Sequence, residues 1–439
     1  MYFLYSVLMG IGMVLLAPYF AVQRLVRGKR LGDIRERMGY LPANVGARGT
    51  DEGGIWVHAV SVGEVLAAKP LVHELKRRFP TRAIFVSTTT ATGQQLARER
   101  IESADEIFYF PFDWPGPVRR AFAQVRPALV IIVETEIWPN FLREADRREI
   151  PVVFVNGRIS ERSYARLRRF APFIGGFFQR VLHNADLFLA QSAEDARRLK
   201  EMGAPENRIS VTGNLKYDLE PPRQSAFGEW LAKQIAGQER WPVVVSGSVV
   251  AGEEDAVLAA FDFVQRRWRR ALLVLAPRKP ERFAAAAQIA EQNGWRTLRR
   301  SGIKMDAPLD ENCDVVVLDS IGELAGLYEP ADAVFVGGSL VRSGGHNILE
   351  PAWFGKAPVF GPSMENFREM AARFLSAGAG IQVGSGEHLG KVWCELIGDD
   401  ARRRQMGKAA QALVQVNRGA TARTVERIAD IFGTQRGAS

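Results

Sequence analysis

The segment Gly337-Gly338-Ser339-Leu340-Val341-Arg342-Ser343-Gly344-Gly345-His346-Asn347-Ile348-Leu349-Glu350-Pro351 has the residue types to hold an anion. It follows an apolar run at residues 333–336 that reads as a buried strand, and a helix is expected to begin near Ile348. Glycines let the backbone approach a ligand closely, and free N–H groups at a helix start favour negative charge. Glu350 then sits where a carboxylate could reach a ribose diol. The same spacing also fits an ordinary tight turn with a capping polar residue.

Carboxylates collect in the other half of the chain. Ser61-Val62-Gly63-Glu64 follows an apolar run and opens an amphipathic segment. Glu64 there suits a general base at a strand end, or equally a first-turn glutamate facing the helix dipole. Glu134-Thr135-Glu136-Ile137-Trp138-Pro139-Asn140 places two carboxylates in three residues after another run. Buried without partners they would be costly, so they need partners or a task. Gly213-Asn214-Leu215-Lys216-Tyr217-Asp218 brings a lysine to the same kind of position.

The second half supplies donors instead. Ser246-Gly247-Ser248, Pro277-Arg278-Lys279 and Asp319-Ser320-Ile321-Gly322-Glu323 each follow a short apolar run. Arg278 is a fork donor suited to phosphate or carboxylate. The division suggests an acceptor with a general base on one side and an activated nucleotide donor on the other. There is no GxxxxGK[ST] loop, no GxGxxG after a first strand and no GxSxG elbow. The five histidines have no ligand spacing, and His58, within an apolar run, reads as a core residue. No metal site is expected.

These clusters need elements to position them. Apolar runs at residues 55–60, 83–87, 107–110, 129–134, 152–156, 187–190 and 209–212 alternate with amphipathic, Arg-rich stretches. A second series follows at 243–246, 272–276, 315–318, 333–336 and 358–360. Alternation at this spacing predicts α/β architecture, two doubly wound parallel sheets covered on both faces. Asp218-Leu219-Glu220-Pro221-Pro222-Arg223-Gln224 reads as the linker between them. The expected domains are therefore an anchor at 1–30, a first domain at 31–220 and a second at 221–439. Ligands of such sheets bind beyond the strands' C-terminal ends, and the natural site is a cleft between the halves.

With 47% hydrophobic and 24% charged residues the chain is globular rather than disordered. Its two cysteines, Cys313 and Cys394, make no CxxC pair, which suits a reducing compartment. A net charge of +9 points to an anionic partner: nucleic acid, an acidic membrane surface or a phosphorylated substrate. Residues 2–23 carry no charge, and Arg24, Arg27, Lys29 and Arg30 follow directly. That is about 20 apolar residues, enough for a helix to cross a bilayer, with the basic side cytoplasmic. An interfacial helix lying on the membrane is the alternative. Arg162, Arg166, Arg168 and Arg169, interleaved with Tyr164, Phe170, Phe173, Phe177 and Phe178, suit anionic lipid. They also suit a solvated helix with one face in the core.

Taken in order, Trp56-Val57-His58-Ala59-Val60-Ser61-Val62-Gly63-Glu64, the Glu134–Asn140 motif, Thr212-Gly213-Asn214-Leu215-Lys216-Tyr217-Asp218, Pro277-Arg278 and the Gly-Gly-His-Asn segment resemble the 3-deoxy-D-manno-octulosonic acid (Kdo) transferases. The resemblance implies a GT-B glycosyltransferase that moves Kdo from CMP-Kdo to a lipid A precursor at the inner membrane, without a cofactor and without nucleic acid. It implies Glu64 as the base, with Glu134 and Lys216 stabilising the transition state. It implies CMP contacts at Pro277, Arg278, Ile321, Gly322, Glu323, Asn347, Ile348, Leu349 and Glu350. Two positions depart from the pattern: family members often have Pro at the place of Ile348 and His at the place of Val250. Another GT-B enzyme using a UDP-sugar, or a nucleotide-sugar 2-epimerase of the same two-domain fold, are the alternatives. The anchor counts against the epimerase.

Overall fold

The computed structural model describes residues 1–12, 15, 33–47, 53–219 and 225–436. It contains two units, each built on a seven-stranded sheet whose paired strands are all parallel.

In the first unit the strands are β1 (Gly54–His58), β2 (Ile84–Thr88), β3 (Glu106–Tyr109), β4 (Pro127–Val133), β5 (Val152–Gly157), β6 (Leu187–Ala190) and β7 (Ile209–Val211). Their order is β3-β2-β1-β4-β5-β6-β7, so the direction of winding reverses between β1 and β4. Both neighbours there are buried along nearly their whole length and mostly apolar, as expected of strands covered on each face. One face packs Trp56, Phe85, Phe108, Phe122 and Phe141 into an aromatic core; the other packs Ile55, Val57, Ile131 and Val133 against helix α1 (Val62–Arg78).

Helix α2 (Pro139–Arg147) starts on a buried cap. Asp113 accepts from the N–H groups of Asn140 at 3.1 Å and Phe141 at 2.7 Å, and so fixes the end of the Glu134–Asn140 loop. Helix α3 (Glu161–Leu182) carries the basic and aromatic stretch. Arg166, Arg168, Arg169 and Phe170 are exposed, whereas Phe177 and Phe178 pack on the core.

In the second unit the strands are β8 (Val243–Val249), β9 (Leu272–Pro277), β10 (Thr297–Arg299), β11 (Val315–Val317), β12 (Ala333–Val336), β13 (Val359–Phe360) and β14 (Ile381–Gln382). The order is β10-β11-β9-β8-β12-β13-β14, with the reversal between β8 and β12. Helix α4 (Glu254–Arg267) follows β8, and the short helix α5 (Leu349–Trp353) follows the Gly-rich segment after β12. The sequence pattern misses β10 and β14. Thr297–Arg299 is partly exposed and polar, and Ile381–Gln382 is only two residues long, so neither forms an apolar run.

The expected second domain, 221–439, is corrected at its end. The second unit stops at Val416, and the chain from Asn417 returns to the first unit. There helix α6 (Ala420–Arg436) buries Ala420, Val425 and Ile428 in the core beside α1, and Phe432 meets Phe79 with ring centroids 5.2 Å apart. Asp218 accepts from the N–H groups of Gly419 at 2.6 Å and Thr421 at 2.5 Å, holding the start of that helix. The first boundary falls at Leu219, close to the expected 220, while most of the expected linker, residues 220–224, lies outside the described residues.

The expected anchor at 1–30 lies largely outside the described residues as well. Residues 2–12 are helical, and one side of that stretch packs on the first unit. Tyr2 meets Phe177 edge-on at 5.1 Å and accepts from Asn184 at 3.0 Å, and Asn140 donates to Ser6 at 3.0 Å. Phe3, Leu4, Leu8 and Ile11 face outward and are exposed. Among the described residues no helix is long and apolar enough to cross a membrane, so the expected spanning helix is not part of the described structure.

Candidate functional site

In the first unit, Glu64, Glu134 and Lys216 follow β1, β4 and β7, all at the C-terminal edge of one parallel sheet. Glu64 lies in the first turn of α1 and is nearly buried, with 6% of its surface exposed. Its carboxylate accepts from the Val60 N–H and from the Ser61 hydroxyl, both at 2.7 Å. Burial, and then the neighbouring charge of Glu134, push its carboxyl up to about 7, against the opposing pull of the two hydrogen bonds. Glu136 is also raised, first by burial and then by Glu134.

Glu134 is held in the left-handed region at φ 59°, an uncommon backbone for a glutamate. Thr135 keeps it there: its hydroxyl donates to the Arg158 carbonyl at 2.5 Å and accepts from the Arg158 N–H at 3.1 Å. The Lys216 ammonium approaches Glu134 to 3.5 Å. Lys216 is set by Asn214, which accepts from its N–H at 3.0 Å, and by Asn156, which accepts from the Leu215 N–H at 3.0 Å. Sequence reasoning missed the supporting pair Thr135 and Asn156. Asn156, next to last in β5, has φ 55°, and a polar residue following an apolar run is the signal that could have found it.

His58 fits the expected core role. It is buried, stacks on Phe110 at 3.8 Å and has its Nδ1 within 3.1 Å of Ser87. Burial drives its imidazole down to about 3, so it stays neutral across the physiological range.

A carboxyl near 7 is well matched to taking a proton from a hydroxyl at neutral pH. If Glu64 is the base, kcat/KM for the acceptor rises with pH through about 7 and levels above it. A pH–rate profile checks this, and a profile flat from 5.5 to 8.5, an assay window on the order of three units, would remove the base assignment. The sign for stability is opposite. A raised carboxyl binds its proton more tightly in the folded chain, so this group's contribution falls as pH climbs from about 4.5 to about 7.

In the second unit the expected nucleotide contacts follow β9, β11 and β12, three strands on the C-terminal edge of the other sheet. Arg278 is exposed just after Pro277. Its positive charge, after burial, lowers the His346 imidazole to about 4, and it also acts on Glu350, whose carboxyl burial raises. The charge of Arg278 is therefore felt at both His346 and Glu350. Asn347 is turned inward by two contacts: its Oδ1 accepts from the Leu349 N–H at 3.1 Å, and its amide donates to Glu350 at 3.3 Å. Ile348 and Leu349 are buried and anchor the start of α5.

Ile321 is 75% exposed and Gly322 has φ 90°, so this pair forms an open loop tip. The Glu323 carboxylate is held by Arg300 at 3.1 Å and by Ser320. One expectation is corrected here. The Gly-rich segment does not offer all its N–H groups to a ligand, because those of Gly338, Ser339 and Leu340 donate to the carboxylate of Glu253. Gly338, at φ 68°, also lies so close to the His346 ring that an added Cβ would meet it at 2.7 Å.

Comparison with known proteins shows the family. The sequence profile of the 3-deoxy-D-manno-octulosonic-acid transferase (kdotransferase) family matches residues 32–219. The 3-deoxy-D-manno-octulosonic acid transferase of Haemophilus influenzae is 33% identical over 378 residues, covering 85% of this chain and 86% of that protein. The chain belongs to the Kdo transferase family. The Kdo transferase of Bordetella pertussis is likewise 33% identical, over 439 residues, covering 95% of this chain and 97% of its own. Among solved structures, UDP-N-acetylglucosamine 2-epimerase of Neisseria meningitidis superposes with a TM-score of 0.57 at 14% identity. It covers 86% of this chain and all of its own. At that identity it speaks for the GT-B-like fold alone, two Rossmann-like units, as the alternation of strands and helices predicts.

Proposed function

We propose that this Kdo transferase is an inverting enzyme that moves Kdo from CMP-Kdo to a lipid A precursor. The observation that carries the reading is Glu64, nearly buried and held near pH 7 beside the Glu134–Lys216 pair, in a chain of this family. A sugar hydroxyl is a weak nucleophile. As its oxygen bonds to the anomeric carbon of Kdo, Glu64 takes the proton and the bond to the CMP phosphate breaks. Lys216, kept in place by Glu134, offsets charge that develops beside the reacting centre. The leaving phosphate carries its charge away as CMP, and Arg278 is an exposed cation able to meet it. Asn347 and Glu350 supply polar partners for the nucleotide.

The acceptor is a lipid, and the exposed face of residues 2–12 together with Arg166, Arg168, Arg169 and Phe170 of α3 supports attachment to an anionic membrane surface. The body then works on the cytoplasmic face of the inner membrane. Incubating the full chain with labelled CMP-Kdo, UDP-sugars and a tetra-acylated lipid A precursor in micelles tests the reading. Transfer from CMP-Kdo alone is expected, and transfer or epimerisation with a UDP-sugar alone overturns it.

A further inference from the structure

Glu253 belongs to no cluster singled out above, yet its carboxylate is completely buried. It sits in the Gly252-Glu253-Glu254 turn between β8 and α4. Four backbone N–H groups converge on it. Oε2 accepts from Val250 at 3.0 Å and from Gly338 at 2.7 Å; Oε1 accepts from Ser339 and Leu340, both at 2.8 Å. Three of these donors lie some eighty-five residues further along, on the Gly-rich segment after β12. Successive N–H groups of that kind form a concavity that binds anions. Here the protein fills the concavity with a carboxylate of its own.

The neighbouring residue does a parallel job. Glu254 accepts from the Gly252 N–H at 2.8 Å and pairs with Arg282 at 2.5 Å, tying the same turn to the stretch that follows Pro277 and Arg278. The Arg278 N–H in turn donates to the Val249 carbonyl at 2.8 Å. The turn thus touches both segments that carry the proposed nucleotide contacts. Gly337 packs directly over it, where a Cβ would meet the Ser248 carbonyl at 2.5 Å, so the two loops have little room to slide.

We propose that Glu253 is a positioning residue for the donor: an internal anion that locks the Gly337–Leu340 loop so that His346, Asn347 and Glu350 face the nucleotide beside Arg278. It touches no substrate. The proposal rests on the donor reading above. It predicts an effect confined to the donor, because nothing in the first unit contacts this carboxylate among the hydrogen bonds it makes.

The test uses the full chain with Glu253→Gln, Glu253→Asp and Glu253→Ala, read by CMP calorimetry, by KM for each substrate and by thermal melting. Gln keeps the shape but turns an N–H₂ toward N–H donors that then lack an acceptor. CMP affinity is expected to fall about tenfold or more in Gln, with KM for CMP-Kdo raised and KM for the acceptor unchanged. Asp keeps the charge on a shorter arm and is expected to retain more affinity than Gln. In Ala, sodium formate is expected to restore part of the lost CMP binding where sodium chloride at equal ionic strength does not, since formate can enter the vacated N–H cradle. Folded Gln protein with CMP affinity and donor KM within about twofold of wild type overturns the positioning role. If Gln and Ala do not fold, Asp decides: its shorter arm cannot reach all four N–H groups, so its donor KM is expected to rise, and a value equal to wild type overturns the role. Wild-type protein that fails to bind CMP while binding another nucleotide overturns the donor reading, and this proposal with it.

Discussion

Replacing Glu64 by Gln lowers turnover by roughly 10²–10⁴-fold, while the fold and CMP binding survive. The substitution is isosteric. The amide oxygen still accepts from the Val60 N–H or the Ser61 hydroxyl, which now hold the carboxylate at 2.7 Å. What disappears is the group able to take a proton. The carboxyl is raised to about 7 by burial and by Glu134, so above neutral pH the wild type keeps a charge that its surroundings disfavour. Gln removes that charge. The variant is therefore expected to melt at or above the wild-type temperature at pH 8, even as it loses activity. Normal turnover in folded Glu64→Gln protein would end the assignment. Loss of turnover with a lowered melting temperature would point to damage of the α1 start instead.

Arg278→Ala is expected to weaken CMP binding by about 10- to 100-fold, the range for a hydrogen bond to a charged group. Turnover falls further if charge grows on the leaving phosphate as the bond to Kdo breaks. Arg278→Lys restores only part, because an ammonium lacks the planar fork. A second readout needs no ligand. Arg278 helps to hold the His346 imidazole at about 4, so its removal moves that titration upward, toward the ordinary histidine range, visible by NMR. CMP affinity unchanged in both Arg278→Ala and Glu350→Ala would place the nucleotide elsewhere.

Much of this architecture can be read from the chain because parallel strands buried on both faces are written as unbroken apolar runs. Val130 to Val133 and Val243 to Val245 are two such runs, both buried. Glu134 and Glu64 are legible for a related reason: one follows such a run directly and the other opens the helix after it, and both places lie at the sheet's edge. Their pairings are not legible. Lys216 meets Glu134 across 82 residues of sequence, and nothing local to either one states it. Glu253 is harder still, because its partners are backbone N–H groups, which every residue possesses. The final helix shows the limit of periodicity. The stripe of Val425 and Ile428 says that a face must be buried, but not in which of two cores.

That helix also sets the timing of assembly. The Lys216 segment is held from behind by residues made much later: Arg423 donates to the Thr212 carbonyl at 2.9 Å, and Thr424 bonds the Thr212 hydroxyl at 3.1 Å. A ribosome that has just released Asp218 has all the strands of the first sheet outside its tunnel, but not the helix that covers α1. About two hundred more residues must be added before that helix appears, a wait of roughly ten to forty seconds at 5–20 residues per second. Through that interval the nascent first unit presents Phe79 without its Phe432 partner. The Thr212 end of the Lys216 segment therefore gains its last support only after the second unit has been synthesised. A transferase built in this order has no stage at which its first unit is finished and its second is missing.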